Sequence, residues 1–128
     1  VNSARKSKTI LVADDNDEIR YLVEVAMQQH GYRVLRAANG EEAIAVARAE
    51  HPDLILMDLS MPERSGISAI YRIRKESKLR DVTIIAMTAY ADAELHLDAL
   101  KAGCDAYITK PFDVGTLTDM VNISLREN

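Results

Sequence analysis

From Thr9 onward, short β-branched apolar runs alternate with stretches in which apolar residues recur at three- and four-residue spacing. That pattern predicts parallel strands joined by crossover helices. Strands are predicted at Ile10–Ala13, Arg33–Ala37, Leu54–Met57, Val82–Met87 and Ala106–Thr109. Three of these runs are almost wholly apolar, as expected where helices cover both faces of a sheet. The first helix carries a stripe of Ile19, Leu22, Val23 and Met27 and stops at Gly31, a residue suited to the left-handed turn that ends helices. A second begins at Asn39-Gly40-Glu41-Glu42, where Asn39 can cap and Glu42 can answer as a capping box, and buries Ala43, Ile44 and Ala47. A third runs through Ile67, Ile70 and Ile73, with Arg72, Arg74 and Lys75 between them as a solvated basic face. The fourth takes Leu95, Ala99 and Leu100 to a stop at Gly103, and the fifth takes Val114, Leu117 and Val121 onward from an Asp113 cap.

Composition sets limits on what this α/β chain can be. Its 128 residues and 48% hydrophobic content suit one packed domain, assigned to residues 9–128. Val1 to Lys8 is short, polar and basic and is read as a linker. A formal charge of -4 argues against non-specific nucleic-acid binding and suits a cytoplasmic protein. No apolar run approaches a membrane span. The only cysteine, Cys104, has no partner for an internal disulfide and reads as a small buried residue. His30, His51 and His96 are far apart in sequence and are expected at surface or helix-end positions.

Chemistry enters at the strand ends, since ligands of open parallel α/β sheets bind beyond the carboxyl ends of the strands. The first strand is followed by Asp14-Asp15, the third by Asp58, the fourth by Thr88 and the fifth by Lys110-Pro111. The second ends in Ala37-Ala38, which places it at an edge away from the site. Each piece alone has an ordinary explanation: acidic residues form turns and caps, a threonine satisfies backbone, and a lysine lies in solvent. Their coincidence at one end of one sheet selects the functional reading. Two carboxylates about 4 Å apart repel by about 4 kcal/mol at an effective dielectric constant near 20, a large share of a stability of roughly 5 to 15 kcal/mol. Protons or a cation must relieve that repulsion. All-oxygen donors favour a hard ion, and Mg²⁺ fits best.

Taken together, Ile10-Leu11-Val12-Ala13-Asp14-Asp15, Asp58-Leu59-Ser60-Met61-Pro62 with Gly66 following, Thr88-Ala89 and Tyr107-Ile108-Thr109-Lys110-Pro111-Phe112 resemble the receiver domains of two-component response regulators. The resemblance covers the chain from about Lys8 to its end. It implies a flavodoxin-like three-layer sandwich whose five-stranded parallel sheet has the order 2-1-3-4-5. It also implies that Asp58 accepts a phosphoryl group from a phosphohistidine on a sensor histidine kinase or histidine phosphotransfer protein, acting as a switch and not as a dedicated enzyme. By the same resemblance Asp15, Asp58 and the Ser60 backbone carbonyl bind Mg²⁺, Asp14 acts mainly through water, and Lys110 pairs with Asp58 before transfer. The Lys110-Pro111 bond is then expected to be cis. Thr88 and Tyr107 form the switch pair that alters the surface of the fourth helix, fifth strand and fifth helix. That surface would act on a downstream protein or a fused output domain, with no direct nucleic-acid or membrane contact by this domain.

Two features bear on lifetime and assembly. Ser60, two residues past the acceptor, leaves access for water, while bulky Tyr90, two past Thr88, is expected to cover the phosphoryl group and slow its loss. The last helix, through Asp119, Asn122 and Ser124, lacks the arginine expected of regulators that dimerise on that face. Rival functions fit less well. An aspartate-nucleophile phosphatase needs a second aspartate where Ser60 stands, and the acidic run after the first strand would repel a flavin phosphate. A pseudo-receiver would lack the acceptor, the acid pair or the lysine, and all of these are present.

Overall fold

The computed structural model describes residues 7–61, 65–89 and 93–126. The elements are β1 (Thr9–Ala13), α1 (Asp17–Gln29), β2 (Arg33–Ala37), α2 (Gly40–Glu50), β3 (Leu54–Asp58), α3 (Gly66–Arg74), β4 (Thr83–Thr88), α4 (Ala93–Ala102), β5 (Ala106–Thr109) and α5 (Val114–Leu125), with a short 3₁₀ turn at Ser77–Leu79. All strands are parallel, in the order β2-β1-β3-β4-β5. The predicted strands recur with small shifts at their ends: Asp58 and Thr88 are the last residues of β3 and β4 and no longer follow them.

Alternation along the central strands divides the core into two layers. Ile10, Val12, Leu54, Leu56, Ile85 and Met87 face α1 and α5, where they meet Val23, Ala26, Met27, Leu117 and Val121. Leu11, Ala13, Ile55, Met57, Ile84 and Ala86 face the other way, toward Ala43, Ile44 and Ala47 of α2, Ala69, Ile70 and Ile73 of α3, and Ala99 and Ala102 of α4. Each fully buried Leu or Ile contributes about 1.5 to 3 kcal/mol through apolar surface removed from water. Two predicted stripe members lie elsewhere. Leu22 is 53% and Leu100 44% exposed, because each sits on the flank of its helix, and the small Ala26 and Ala102 occupy the core-facing positions instead.

Local chemistry fixes the helix ends. Asn16 caps α1 by accepting from the Glu18 and Ile19 N–H groups, and Asn39 caps α2 through the Glu42 N–H at 2.8 Å. The Glu42 carboxylate reaches back to the Ala38 N–H at 2.8 Å, one residue before the cap. Asp113 caps α5 through the Gly115 N–H. Gly31 and Gly103 adopt φ of 89° and 120°, values that glycine alone takes up without strain.

The basic group on α3 is not one solvated face. Arg72 pairs with Glu76 at 2.8 Å. Arg74 folds inward, with its guanidinium donating to the carbonyls of Gly103, Leu79, Arg80 and Val82 and to the Asp105 carboxylate. No helix among the described residues is long and apolar enough to cross a membrane.

Candidate functional site

The sheet order brings the ends of β1, β3, β4 and β5 to one rim, and backbone hydrogen bonds carry the register slightly past each strand. The Asp14 N–H donates to the Ala37 carbonyl at 3.0 Å, the Leu59 N–H to Met87 at 2.9 Å and the Lys110 N–H to Thr88 at 2.6 Å. The residues that follow the strands are therefore held as firmly as the strands themselves.

Asp14 is fully buried. Its Oδ1 accepts from the Asn16 N–H at 2.9 Å and its Oδ2 from Lys110 Nζ at 2.7 Å. Its backbone carbonyl accepts from the Arg20 guanidinium at 2.7 Å. Asp15 is exposed, whereas Asp58 is only 3% exposed. One carboxylate oxygen from each of Asp14, Asp15 and Asp58 lies within 4.8 Å of the other two. Pairing of Lys110 with Asp58 is expected from the resemblance, but the ammonium lies closer to Asp14, at 2.7 Å, than to Asp58 Oδ1, at 3.5 Å. A wholly buried carboxylate has lost bulk solvent and draws the nearest cation to itself.

Electrostatics at Asp58 follow from this geometry. Burial first, and then the Asp14 carboxylate, push the Asp58 carboxyl up to about 6; Lys110 and the Ser60 N–H pull it down, and Asp15 adds a further push upward. The Ser60 N–H donates to Asp58 Oδ1 at 3.3 Å, folding the exposed loop residue over the carboxylate. Compact acidic oxygens, one exposed and two buried, with a single lysine at the rim are a donor set for a small hard cation.

Gly66 holds this loop close. A Cβ at Gly66 would stand 2.1 Å from the Asp58 carbonyl oxygen and 2.7 Å from Leu59 Cα, so only glycine lets α3 begin against the end of β3. Thr88 is fully buried at the end of β4. The Lys110–Pro111 peptide is cis. Tyr107 lies away from the carboxylates: it is 40% exposed and its ring stacks on His96 of α4, with centroids 3.8 Å apart and planes inclined by 26°. His30 and His51 cap the carboxyl ends of α1 and α2, as expected of histidines at helix ends. Cys104 is buried. Pro62 and Tyr90 lie outside the described residues.

Sequence reasoning missed two contacts, that of Arg20 with Asp14 and that of His96 with Tyr107. Arg20 reaches the site only because α1 starts immediately after the acid pair and turns its second-turn side chain back toward Asp14. His96 meets Tyr107 across two elements whose lateral packing leaves no mark in the local sequence.

Comparison with known proteins agrees with the geometry. Residues 10–122 match the response regulator receiver domain family. The chain is 39% identical over 119 residues to the phosphate regulon transcriptional regulatory protein PhoB of Pseudomonas aeruginosa, covering 93% of this chain and 52% of that protein. It is 36% identical over 108 residues to the polar-differentiation response regulator DivK of Brucella ovis, covering 84% and 88%. The chain spans about half the length of PhoB and of the ycf27 transcriptional regulators it also matches. Among solved structures, chemotaxis protein CheY4 of Vibrio cholerae superposes with a TM-score of 0.89 at 29% identity, over 94% of this chain and all of that one. The receiver domain of sensor histidine kinase PA1611 from P. aeruginosa, solved with a magnesium ion coordinated in its active-site cleft, gives 0.85 at 34% identity over 92% and 97%. The chain belongs to the response regulator receiver domains of two-component signalling.

Proposed function

We propose that Asp58 is the phospho-acceptor of this receiver domain and that its donor is a phosphohistidine on a histidine kinase or histidine phosphotransfer protein. The observation that carries this reading is a buried carboxylate, held partly toward its protonated form, with two further carboxylates within 4.8 Å and a lysine ammonium 3.5 Å away. An oxygen of Asp58 attacks phosphorus in line with the departing imidazole. The N–P bond breaks, the imidazole nitrogen keeps the electron pair and takes a proton from solvent, and an acyl phosphate forms on Asp58. Phosphoryl transfer asks the protein chiefly for positioning and charge neutralisation. Lys110, suspended from Thr88 and pinned by Asp14, supplies a fixed positive charge for the incoming oxygens.

Asp14, Asp15, Asp58 and the Ser60 backbone carbonyl are the residues that would hold Mg²⁺, Asp14 mainly through water, and their oxygen-only chemistry fits it. When bound, the ion neutralises the acidic pocket and the charge gathering on the phosphoryl oxygens. Asp58 must be ionised to attack, and Lys110 favours that form.

The domain acts as a switch that assists its own modification and is not a dedicated enzyme. Phosphorylation adds a charge of roughly −1.5 to −2 beside Thr88. The Thr88 hydroxyl moves to a phosphate oxygen, Tyr107 turns toward the space it leaves, and the face formed by α4, β5 and α5 presents a new surface to a downstream protein or output domain. Residues 1–8 serve as a linker, and the switch works in the cytoplasm. Incubation with acetyl phosphate and Mg²⁺, followed by intact mass measurement, tests the reading. One phosphoryl group should be gained, and the gain should vanish in Asp58→Asn or with chelator. An equal gain in Asp58→Asn would refute it.

A further inference from the structure

Tyr107 pairs in register with Ala86, and Thr109 with Thr88. Residues in register on neighbouring strands share a face, as do residues two apart along one strand. Ala86 belongs to the layer beneath α2, α3 and α4, so Tyr107 and the Thr88 hydroxyl project on the same side. Beside Tyr107 the neighbouring strand offers only the Ala86 methyl group, and toward the rim Thr109 of β5 shares its face. The neighbouring strand therefore gives the ring little to pack against. The ring is held instead from the helix side, by the imidazole of His96 stacked at 3.8 Å. His96 stands one helical turn before Ala99, which is fully buried, so the imidazole is carried on the edge of the stripe that fastens α4 to the sheet. The far end of α4 is fixed independently, by the Arg74 guanidinium on the Gly103 carbonyl at 2.8 and 2.9 Å.

We infer that His96 is a positioning residue for the switch: its ring holds Tyr107 outward, and this stack must be broken before Tyr107 can turn toward Thr88. The inference rests on the reading of Thr88 and Tyr107 as the switch pair and adds the contact that opposes it. A ligand or modification shifts a two-state equilibrium only by its differential interaction with the two states, so a contact present only in the outward state sets the threshold that phosphorylation must overcome. Aromatic pairs of this kind shift an equilibrium by roughly twofold to tenfold. Loss of the imidazole should raise the inward-to-outward ratio by that factor, both before and after phosphorylation.

The test uses the whole chain labelled with 3-fluorotyrosine. The chain has five tyrosines, and the Tyr107 fluorine resonance is identified by its loss in Tyr107→Phe. Its population-averaged position is followed in wild type, His96→Ala and His96→Phe, with and without acetyl phosphate and Mg²⁺, while intact mass records phosphorylation. The expected result is that phosphorylation moves the wild-type resonance, that His96→Ala moves the unmodified protein part of the way in the same direction, and that His96→Phe, which keeps an aromatic stack, restores the wild-type position. A wild-type resonance that responds to phosphorylation while His96→Ala coincides with wild type would overturn the latch and leave the switch intact. His96→Phe behaving like His96→Ala would likewise overturn it, because the stack would then not be the cause. A wild-type resonance that stays still although the mass shows phosphorylation would overturn the switch reading and the latch with it.

Discussion

At Asp58, burial and the Asp14 carboxylate act in the same direction, and the pKa of about 6 that results is a statement about stability as well as reactivity. The folded chain holds the proton more tightly than the unfolded chain, whose aspartates titrate near about 4. The contribution of Asp58 to the stability of the metal-free protein should therefore fall as pH rises from about 4 through about 6 and remain lowered above that range. Asp58→Asn removes this penalty. In chelator, its advantage over wild type should be near zero at pH 4 and reach on the order of 2 to 3 kcal/mol at neutral pH, measured by urea unfolding followed by circular dichroism. An advantage independent of pH would contradict the assignment of the shift to Asp58. Gly66 gives a second prediction at this scale. A methyl there would meet backbone and no flexible side chain, so Gly66→Ala should destabilise by about 1 to 3 kcal/mol and slow modification by acetyl phosphate through displacement of the Asp58 loop. Wild-type rates in a fully folded Gly66→Ala protein would show that the close approach does not position the acceptor.

Among the elements, Arg74 ties the end of α3 to the turn that follows α4. The Arg74 guanidinium, on a side chain 16% exposed, gathers carbonyls from the end of α4, from the turn after α3 and from the approach to β4, and pairs with Asp105, which itself accepts from the Ile84 N–H at 2.8 Å. Truncation would leave several of these acceptors without a donor. Arg74→Ala should destabilise by about 2 to 4 kcal/mol and raise hydrogen exchange first at the carboxyl end of α4. Arg74→Lys, with one donor group in place of a planar fork, should recover only part of this. Exchange that rises uniformly over the domain would deny Arg74 a local role. The same element shows where sequence periodicity stops being informative. Ile70 and Ile73 are buried as their spacing predicts, but Arg74 reads locally as one of three basic residues in solvent. Its inward turn depends on a Gly103 that lies 29 residues away. Leu22 and Leu100 fail for a related reason, because hydrophobicity alone does not tell the flank of a stripe from its centre.

Across the whole molecule, alternating strands and helices in the sequence dictate a parallel α/β fold, whereas the lateral order β2-β1-β3-β4-β5 comes from family resemblance, since periodicity carries no information about which strand lies beside which. The acidic triad could be anticipated because strand ends are identifiable from local pattern. The preference of Lys110 for Asp14 could not, because it depends on Asp14 being fully buried while Asp15 is exposed. The sheet order joins the acid pair after β1 and the carboxylate at the end of β3 into one pocket at the cost of their mutual repulsion, so an ion that relieves it should stabilise the entire domain. An ion bound only by the folded state, at a hundred times its dissociation constant, adds about 2.7 kcal/mol, equivalent to a rise in Tm of roughly 10 °C for a domain of this size. Thermal unfolding of wild type should show that gain with magnesium chloride and little of it with sodium chloride at matched ionic strength, where only screening acts. Asp15→Asn should need more magnesium to reach the same gain. Asp58→Asn should begin from a higher Tm in chelator and gain less, because part of the repulsion that the ion relieves is already gone. Equal gains from the two salts, or a magnesium gain unchanged by both substitutions, would place the ion's effect elsewhere than among Asp14, Asp15 and Asp58.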